Sequence, residues 1–365
     1  MPIYMDIHQV PGIEAIHAAE AHSKDLQLQR EHQCKCITYW IDEIRGVVFC
    51  LIEGPDQQAI EAMHRSSHGL VPNKIIEVSN EVVDSFLGRI QDPENATLSP
   101  GGLKVFSDSA FRILVVTTTK DPALLRHQIG ERADELLDRQ SHLIRKELAA
   151  HHGREVEATG SGFIISFTSA TEAMACAMHL HQEIPAADRH LSGLRIVVNA
   201  GDPVEESNRL FGDTISLARA LCTIADADRI SITSSVRELL PADFLQKNRS
   251  RLHFLSVADE LLMESMFSIL EKNWQESEFG AAEFCKALSM SKSQLYRKTV
   301  ALFDSSPNDV LKDFRLDKAC GLLKKGRKNI SETTFDSGFT SPSYFTKCFK
   351  KKFGLLPANY LDFLD

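Results

Sequence analysis

The chain has 365 residues, 43% of them hydrophobic and 25% charged, and a formal net charge of −9 at pH 7. That composition suits a folded chain of two or three domains and excludes collagen-like and disordered classes. Its longest apolar runs, such as Val47 to Ile52 and Ile113 to Val116, are strand-length and far below the roughly 18 residues of a membrane helix, so no membrane partner is expected.

The opening MPIYMDIHQV has no basic stretch followed by an apolar one, so no secretory leader is expected. The eight cysteines are scattered, lack CxxC spacing and sit mostly among apolar neighbours, which predicts reduced thiols and a cytoplasmic protein.

In residues 1–80, Ile3 to Val10 alternates as a strand and Ile13 to about Gln29 reads as a helix. Cys34 to Asp42 and Val47 to Glu53 read as strands around a turn, Pro55 opens a helix to Ser67, and Lys74 to Val78 is a last strand. The order βαββαβ predicts a ferredoxin-like sheet with both helices on one face. Six of the fourteen histidines fall here. His64 and His68, at i,i+4 near the end of the second helix, share one face and can hold one metal ion; the alternative is that they cap or solvate the helix end. Cys34 and Cys36 alternate on one strand and point the same way, which favours packing against the helices. The stretches MDIHQVPG, CKCITYWIDE and HRSSHGLVPNKIIEV make this segment similar to a small family of ferredoxin-like proteins, some of which bind nickel. The resemblance implies a sensor domain, with a divalent metal such as nickel as a possible effector.

Residues 81–109 read as a short helix followed by a connector, DPENATLSPGG, flexible by composition. A third pattern, 110–257, begins with the buried strand RILVVTTT. It continues with a long helix from Pro122 to Ala150, a hairpin of Glu155 to Ala158 with Gly162 to Phe167, and a helix from Ala170 to Glu183. A strand at Leu194 to Ala200, a helix at Gly212 to Ala225 and a strand at Ile230 to Ser234 complete it. GREVEATGSGFIISFTSATEAMACAMHLH and RLFGDTISLARAL resemble the α+β catalytic domain of class III nucleotide cyclases. In that family two carboxylates hold two metal ions; the matching positions here are Thr117 and Ser161, which cannot neutralise a metal's charge. The purine-reading lysine is matched by Glu157, and the asparagine and arginine of the last motif by Ser216 and Ala220, with Arg219 one residue out. The resemblance therefore implies a cyclase fold without cyclase activity. Because such domains work as pairs, it also implies a homodimer.

Residues 258–365 read as all-α. A turn at Ser289 to Ser291 separates two helices, Ser291 capping the second, which runs to about Phe303. Pro307 to Leu323 carries apolar residues at helical spacing over about 25 Å, enough to set two recognition helices about one DNA turn, roughly 34 Å, apart. Ser331 is expected to cap a further helix ended by Gly338, and Ser341-Pro342 to open the next, to about Lys352. GFTSPSYFTKCFKKKFGLLPANY, 338–360, resembles the signature of the AraC type of bacterial transcription regulators, with two helix-turn-helix units. Between 286 and 352 fifteen Lys and Arg stand against six Asp and Glu, so this segment is near +9 and the rest of the chain near −18, the electrostatic footprint of binding to double-stranded DNA. Lys324, Lys325, Arg327 and Lys328 read equally well as a solvated loop.

The resemblance places base-edge contacts on Ser293, Gln294, Tyr296 and Arg297 in the first recognition helix and on Ser343, Tyr344, Thr346 and Lys347 in the second. It makes Arg297 the partner for guanine, Gln294 for adenine, and Lys292, Lys298, Lys350 and Lys351 the phosphate contacts. The leading expectation is a DNA-binding regulator, not an enzyme, answering to a metal or small-molecule effector. An active cyclase with atypical metal ligands, and a metal-binding protein with incidental DNA binding, are the alternatives.

Overall fold

The computed structural model describes residues 1–326 and 329–364. β1 (Ile3–Gln9), α1 (Ala15–Leu28), β2 (Lys35–Asp42), β3 (Val47–Glu53), α2 (Gln57–Ser67) and β4 (Lys74–Val78) build a four-stranded sheet of order β2-β3-β1-β4, antiparallel throughout. This is the ferredoxin-like arrangement. Strand alternation sends Tyr4, Tyr39, Val48 and Cys50 toward α1 and α2, where they pack with Ala18, Ala19, Ile60 and Met63. Met5, Ile7, Trp40, Phe49 and Leu51 point the other way.

α3 (Asn80–Leu87) starts at its Ser79 cap and ends at Gly88, whose φ of 81° is open to glycine at little cost. The connector is more structured than its composition suggests. It forms a short ladder, β5 (Thr97–Leu98) with β6 (Lys104–Val105), anchored where Phe106 stacks on Tyr39 at 4.3 Å.

The middle sheet contains β7 (Arg112–Thr118), β8 (Arg154–Thr159), β9 (Gly162–Phe167), β10 (Arg195–Gly201), β11 (Ile230–Ile232) and β12 (Leu252–Phe254), in the order β12-β11-β10-β7-β9-β8. Its strands β8-β9-β7-β10 repeat the antiparallel plan of the first sheet, and β11 and β12 extend it in parallel beyond β10. The helices are α4 (Pro122–Ile129), α5 (Arg132–Ala150), α6 (Ala170–Glu183), α7 (Ala186–Ser192), α8 (Gly212–Cys222), α9 (Ser234–Glu238) and α10 (Ala242–Lys247). The single long helix expected over 122–150 is two helices, because Gly130 at φ 63° and ψ −146° leaves the helical region. α5 and α6 cover one face through Ile144, Leu148, Ala173 and Leu180.

The other face shares one continuous core with the first domain. Leu114, Val116, Ile164 and Val197 join Phe86 and Leu87 of α3, Phe211 and Ala218 of α8, and the Met5–Ile7–Trp40–Phe49 face of the first sheet. Phe86 stacks on Phe211 at 4.7 Å. Within this junction Arg112, only 2% exposed, donates to Phe86 O (3.2 Å), Leu87 O (3.1 Å), Ser109 O (2.6 Å) and Phe111 O (2.9 Å). Burial pulls its guanidinium down to about 10. Nearer the surface Arg45 pairs with both oxygens of Asp202 at 2.7 Å.

The C-terminal region is helical: α11 (Val257–Asn273), α12 (Ala281–Ala287), α13 (Lys292–Phe303), α14 (Pro307–Lys324), α15 (Ile330–Asp336), α16 (Pro342–Phe353) and α17 (Pro357–Leu361). Ser291, Ser306 and Ser341 cap α13, α14 and α16. α15 is capped by Asn329 rather than Ser331, because Asn329 and Glu332 satisfy each other's backbone N–H in a reciprocal box. Among the described residues no helix is long and apolar enough to cross a membrane.

Arg112→Met keeps the apolar stem but removes the donor to the buried Leu87 O and to the half-buried Ser109 and Phe111 carbonyls, and leaves Phe86 O with Ser166 Oγ alone. It should lower the unfolding free energy by about 3 kcal/mol in denaturant titrations. A loss below about 0.5 kcal/mol would show that the junction does not depend on it.

Candidate metal centre and nucleic-acid interface

Asp6 and His8 alternate onto the helix-covered face of the first sheet, where β1 brings them under α2. There His64 Nε2 lies 2.9 Å from Asp6 Oδ2, and His64 Nδ1 lies 3.0 Å from His68 Nε2. From α1, Asp25 Oδ1 reaches to 3.3 Å from both His64 Nδ1 and His68 Nε2 and accepts from Ser67 Oγ at 2.5 Å. His8 Nε2 is 3.3 Å from Asp6 Oδ1, yet neither ring nitrogen of this buried histidine has a hydrogen-bond partner. Cys50 completes the group, its backbone N–H donating to Asp6. A cavity of about 20 Å³, lined in part by His8, His22, Asp25, Cys50 and His68, adjoins them.

The electrostatics favour a positive charge on His64. Burial disfavours charge on His64, but Asp6 and Asp25 on either side outweigh it and push the ring up to about 10. Burial likewise raises Asp6 and Asp25, and the imidazoles beside them outweigh it, holding both carboxyls below the usual range. Burial pushes the Cys50 thiol well up. Of this cluster the sequence reading named His64 and His68, which the fold brings together, and missed Asp6, His8, Asp25 and Cys50. The available signal was the polar pair Asp6 and His8 at alternate positions of an otherwise apolar strand. Cys34 and Cys36 are buried beneath the helices, with Cys36 Sγ 3.7 Å from Met63 Sδ.

At the end of β7, Thr117 Oγ1 accepts from Phe163 N at 3.1 Å. Gly162 passes so close that an added Cβ would stand 2.0 Å from Thr117 O. Ser161 occupies the hairpin turn, with hydroxyls rather than carboxylates at both positions. Glu157 and Arg219 pair with each other at 2.7 Å across the exposed rim. Ser216 Oγ donates to Gly212 O, and Ala220 is buried.

In the helical region each recognition helix buries one stripe: Leu295 and Thr299 of α13, and Phe345, Cys348 and Phe349 of α16. Lys292, Ser293, Gln294, Tyr296, Arg297 and Lys298 are exposed, as are Ser343, Tyr344, Lys347, Lys350 and Lys351; Thr346 is half-buried. Tyr296 and Tyr344, 55% and 53% exposed, are large rings left in solvent. Gln294 Oε1 accepts from Ser291 N at 2.9 Å and Lys298 Nζ pairs with Asp259 at 3.2 Å, so both hold partners within the chain. α14 bridges the units, with Val310 and Leu311 in one core and Leu316, Ala319, Cys320 and Leu323 in the other. At its middle, Arg315 donates to Trp274 O (2.8 Å), Glu276 O (2.6 Å) and Phe279 O (3.1 Å).

The second unit docks on the middle domain. Asp121, the N-cap of α4, accepts from Tyr360 Oη at 2.9 Å and pairs with Lys324 at 2.6 Å, so Lys324 is not a free loop charge. Lys325 lies in the following turn, and Arg327 and Lys328 lie outside the described residues.

Comparison with known proteins bears on both ends of the chain. Residues 284–362 match the model of a helix-turn-helix domain, and residues 4–78 match that of the nickel responsive protein SCO4226-like family. The chain is 37% identical over 106 residues to histidine kinase P4 of Formosa agariphila, covering 29% of this chain and 8% of that protein. It is 33% identical over 108 residues to putative adenylate cyclase 3 of Rhizobium meliloti, covering 28% and 18%. The solved structure of SCO4226 from Streptomyces coelicolor is 30% identical, with 21% of this chain and 94% of that one covered and a TM-score of 0.20. Transcriptional regulators of Salmonella typhimurium and Neisseria gonorrhoeae also match, each at 32% identity. The chain spans about a third or less of these curated relatives. It thus carries an SCO4226-like domain at one end and an AraC-type helix-turn-helix domain at the other.

The raised His64 value gives a signed pH dependence. Its contribution to stability is complete below the unfolded value of about 6.5, declines above it, and is lost as pH rises through about 10. Asp6 and Asp25, being depressed, contribute above about 4 and lose that contribution only as pH falls through their folded values. Metal-free protein should therefore lose stability between pH 7 and 10, and His64→Gln should flatten that slope; thermal melts across this range check it.

Proposed function

We propose that the chain is a transcription regulator that binds specific double-stranded DNA through α13 and α16, under the control of a divalent metal in the N-terminal domain. The observation that carries this reading is the pair of capped recognition helices, each with a buried apolar stripe and an exposed polar, basic and aromatic face, joined by one helix that enters both cores. Base edges are read by Ser293, Tyr296, Arg297, Ser343, Tyr344, Thr346 and Lys347; Gln294 joins them by releasing Ser291 N–H. Lys292, Lys350 and Lys351 hold phosphates, as does Lys298 on leaving Asp259.

The residues of the N-terminal cluster fit a metal ion. His64 Nδ1, His68 Nε2 and Asp25 Oδ1 lie 3.0 to 3.3 Å apart, close to the roughly 2.9–3.4 Å between neighbouring donors around one ion with bonds of about 2.0–2.1 Å. Asp6 accepts from His64 Nε2–H and so leaves Nδ1 to bind. His8, grouped with Asp6, Cys50 and His64, is a further donor on the other side of His64. Nickel, named in the description of the matching family, is the leading candidate. A bound ion would supply there the positive charge that a proton on His64 otherwise supplies, so uptake releases protons and weakens with acid.

The middle domain serves in this proposal as a scaffold without cyclase activity, its metal-binding positions being Thr117 and Ser161. Both faces of its sheet are covered within the chain, so a homodimer, presenting two readers to paired half-sites, would meet through other surfaces.

Selection of bound sequences from a random duplex pool, with and without nickel, tests the reading: enrichment of one motif with defined half-site spacing is expected. Turnover of ATP or GTP that depends on the cleft would instead favour a cyclase, and metal uptake with no preferred DNA sequence a metal-binding protein. Arg297→Ala should cost roughly 1–3 kcal/mol on the specific site and relax preference at one base position. Lys350→Ala should weaken all sequences alike and lower the salt slope by about one unit, read by fluorescence anisotropy from low to high salt. Equal losses on specific and random DNA for Arg297→Ala would remove it from base reading.

A further inference from the structure

On the outer face of the middle domain, the end of α5 and the middle of α6 bring together Glu147, His151 and His179. His151 Nε2 and His179 Nδ1 are 3.0 Å apart. Glu147 Oε2 lies 3.4 Å from His179 Nδ1 and 4.0 Å from His151 Nε2. Around a single ion with bonds of about 2.1 Å, tetrahedral donors stand roughly 3.4 Å apart, a spacing these three distances bracket.

Two features go beyond a chance meeting of polar side chains. His151 Nδ1 lies 2.9 Å from Glu172 Oε2, and an ionised carboxylate only accepts, so the proton sits on Nδ1 and the Nε2 lone pair is directed at the other two groups. This is the carboxylate–histidine arrangement that orients imidazole toward a metal. Glu147, although a carboxylate, is 7% exposed; its other oxygen, Oε1, is 3.7 Å from the exposed Lys146 Nζ, leaving Oε2 to face the rings. His179, by contrast, has 56% of its side chain in solvent, which gives an ion a way in.

We propose that Glu147, His151 and His179 form a second metal site, for a divalent transition ion of the zinc type, with Glu172 holding His151 in the ligating tautomer. Two imidazoles and one carboxylate suit Zn²⁺ and its neighbours rather than Mg²⁺ or Ca²⁺, which prefer all-oxygen shells. The three ligands leave one position for water. Glu147 lies in the last turn of α5, His151 is its C-cap and His179 lies on α6, so an ion here ties together the two helices that cover the outer face of the sheet.

The test uses full-length protein and Zn²⁺ alone, with bound metal counted by native mass spectrometry and affinity read by competition with a chromophoric chelator. Four proteins are compared: wild type, His151→Ala with His179→Ala, His179→Ala alone, and His64→Ala with His68→Ala. The expected result is that both variants at the second site lose one equivalent of zinc that the His64/His68 variant retains. Glu172→Gln should weaken that equivalent by roughly 10–100-fold without removing it. His179 is exposed, so its single variant keeps the comparison valid if the double variant folds poorly. Zinc uptake unchanged by His179→Ala and by the double variant would overturn the proposal. Failure of the N-terminal site would show separately, as uptake unchanged in the His64/His68 variant.

Discussion

The architecture depends on how the C-terminal end of α3 is satisfied. A helix ends with carbonyls that have no intrahelical partner, and α3 ends inside the apolar junction between two sheets, away from water. Gly88 turns the chain there, but the carbonyls of Phe86 and Leu87 still need donors. Arg112, the first residue of the middle sheet, supplies them, with Ser166 Oγ adding a bond to Phe86 O at 2.9 Å. A guanidinium has five N–H donors and no acceptor, so one side chain can meet four carbonyls at once. Since the donor comes from one domain and the acceptors from the helix ending the other, neither domain is completed alone.

That junction also governs what the middle domain has left to offer. One face of its sheet is spent on α5 and α6, the other on α3, α8 and the first sheet. Its β8 edge carries Arg154, Glu155 and Glu157, charges that discourage further strand pairing. At the end of β7 and in the β8–β9 turn, Thr117 and Ser161 offer hydroxyls that bond within the chain. The concentrated charge lies in the N-terminal domain, where two buried carboxylates, Asp6 and Asp25, flank the His64 imidazole.

Much of the fold was legible from residues alone, because the signals were local. Alternation marked β1 through β4 to within a residue or two, and Ser291 and Ser341 set the starts of α13 and α16. Where competing local signals sat close together the reading slipped. Asn329 and Ser331 are both good caps, and only the reciprocal bond with Glu332 decides between them. Gly130 sits in an otherwise helical pattern, where a glycine is tolerable; its backbone angles, not its identity, break the helix. The candidate metal cluster was half legible for a different reason. His64 and His68 share one turn, whereas Asp6, His8 and Asp25 reach them only through the packing of β1 and α1 against α2. The same holds for His151 and His179, which lie 28 residues apart in the chain.

β7 joins these features along a single line. Its first residue, Arg112, grips the helix that closes the N-terminal domain, and three residues beyond its last, Asp121 holds Tyr360 and Lys324 of the second reader unit. Seven residues of extended chain span about 23 Å. Hydrogen-bonded on both sides, the strand is stiff along its axis, so the anchor that closes the N-terminal domain and the anchor that holds the last helices stand a fixed strand-length apart.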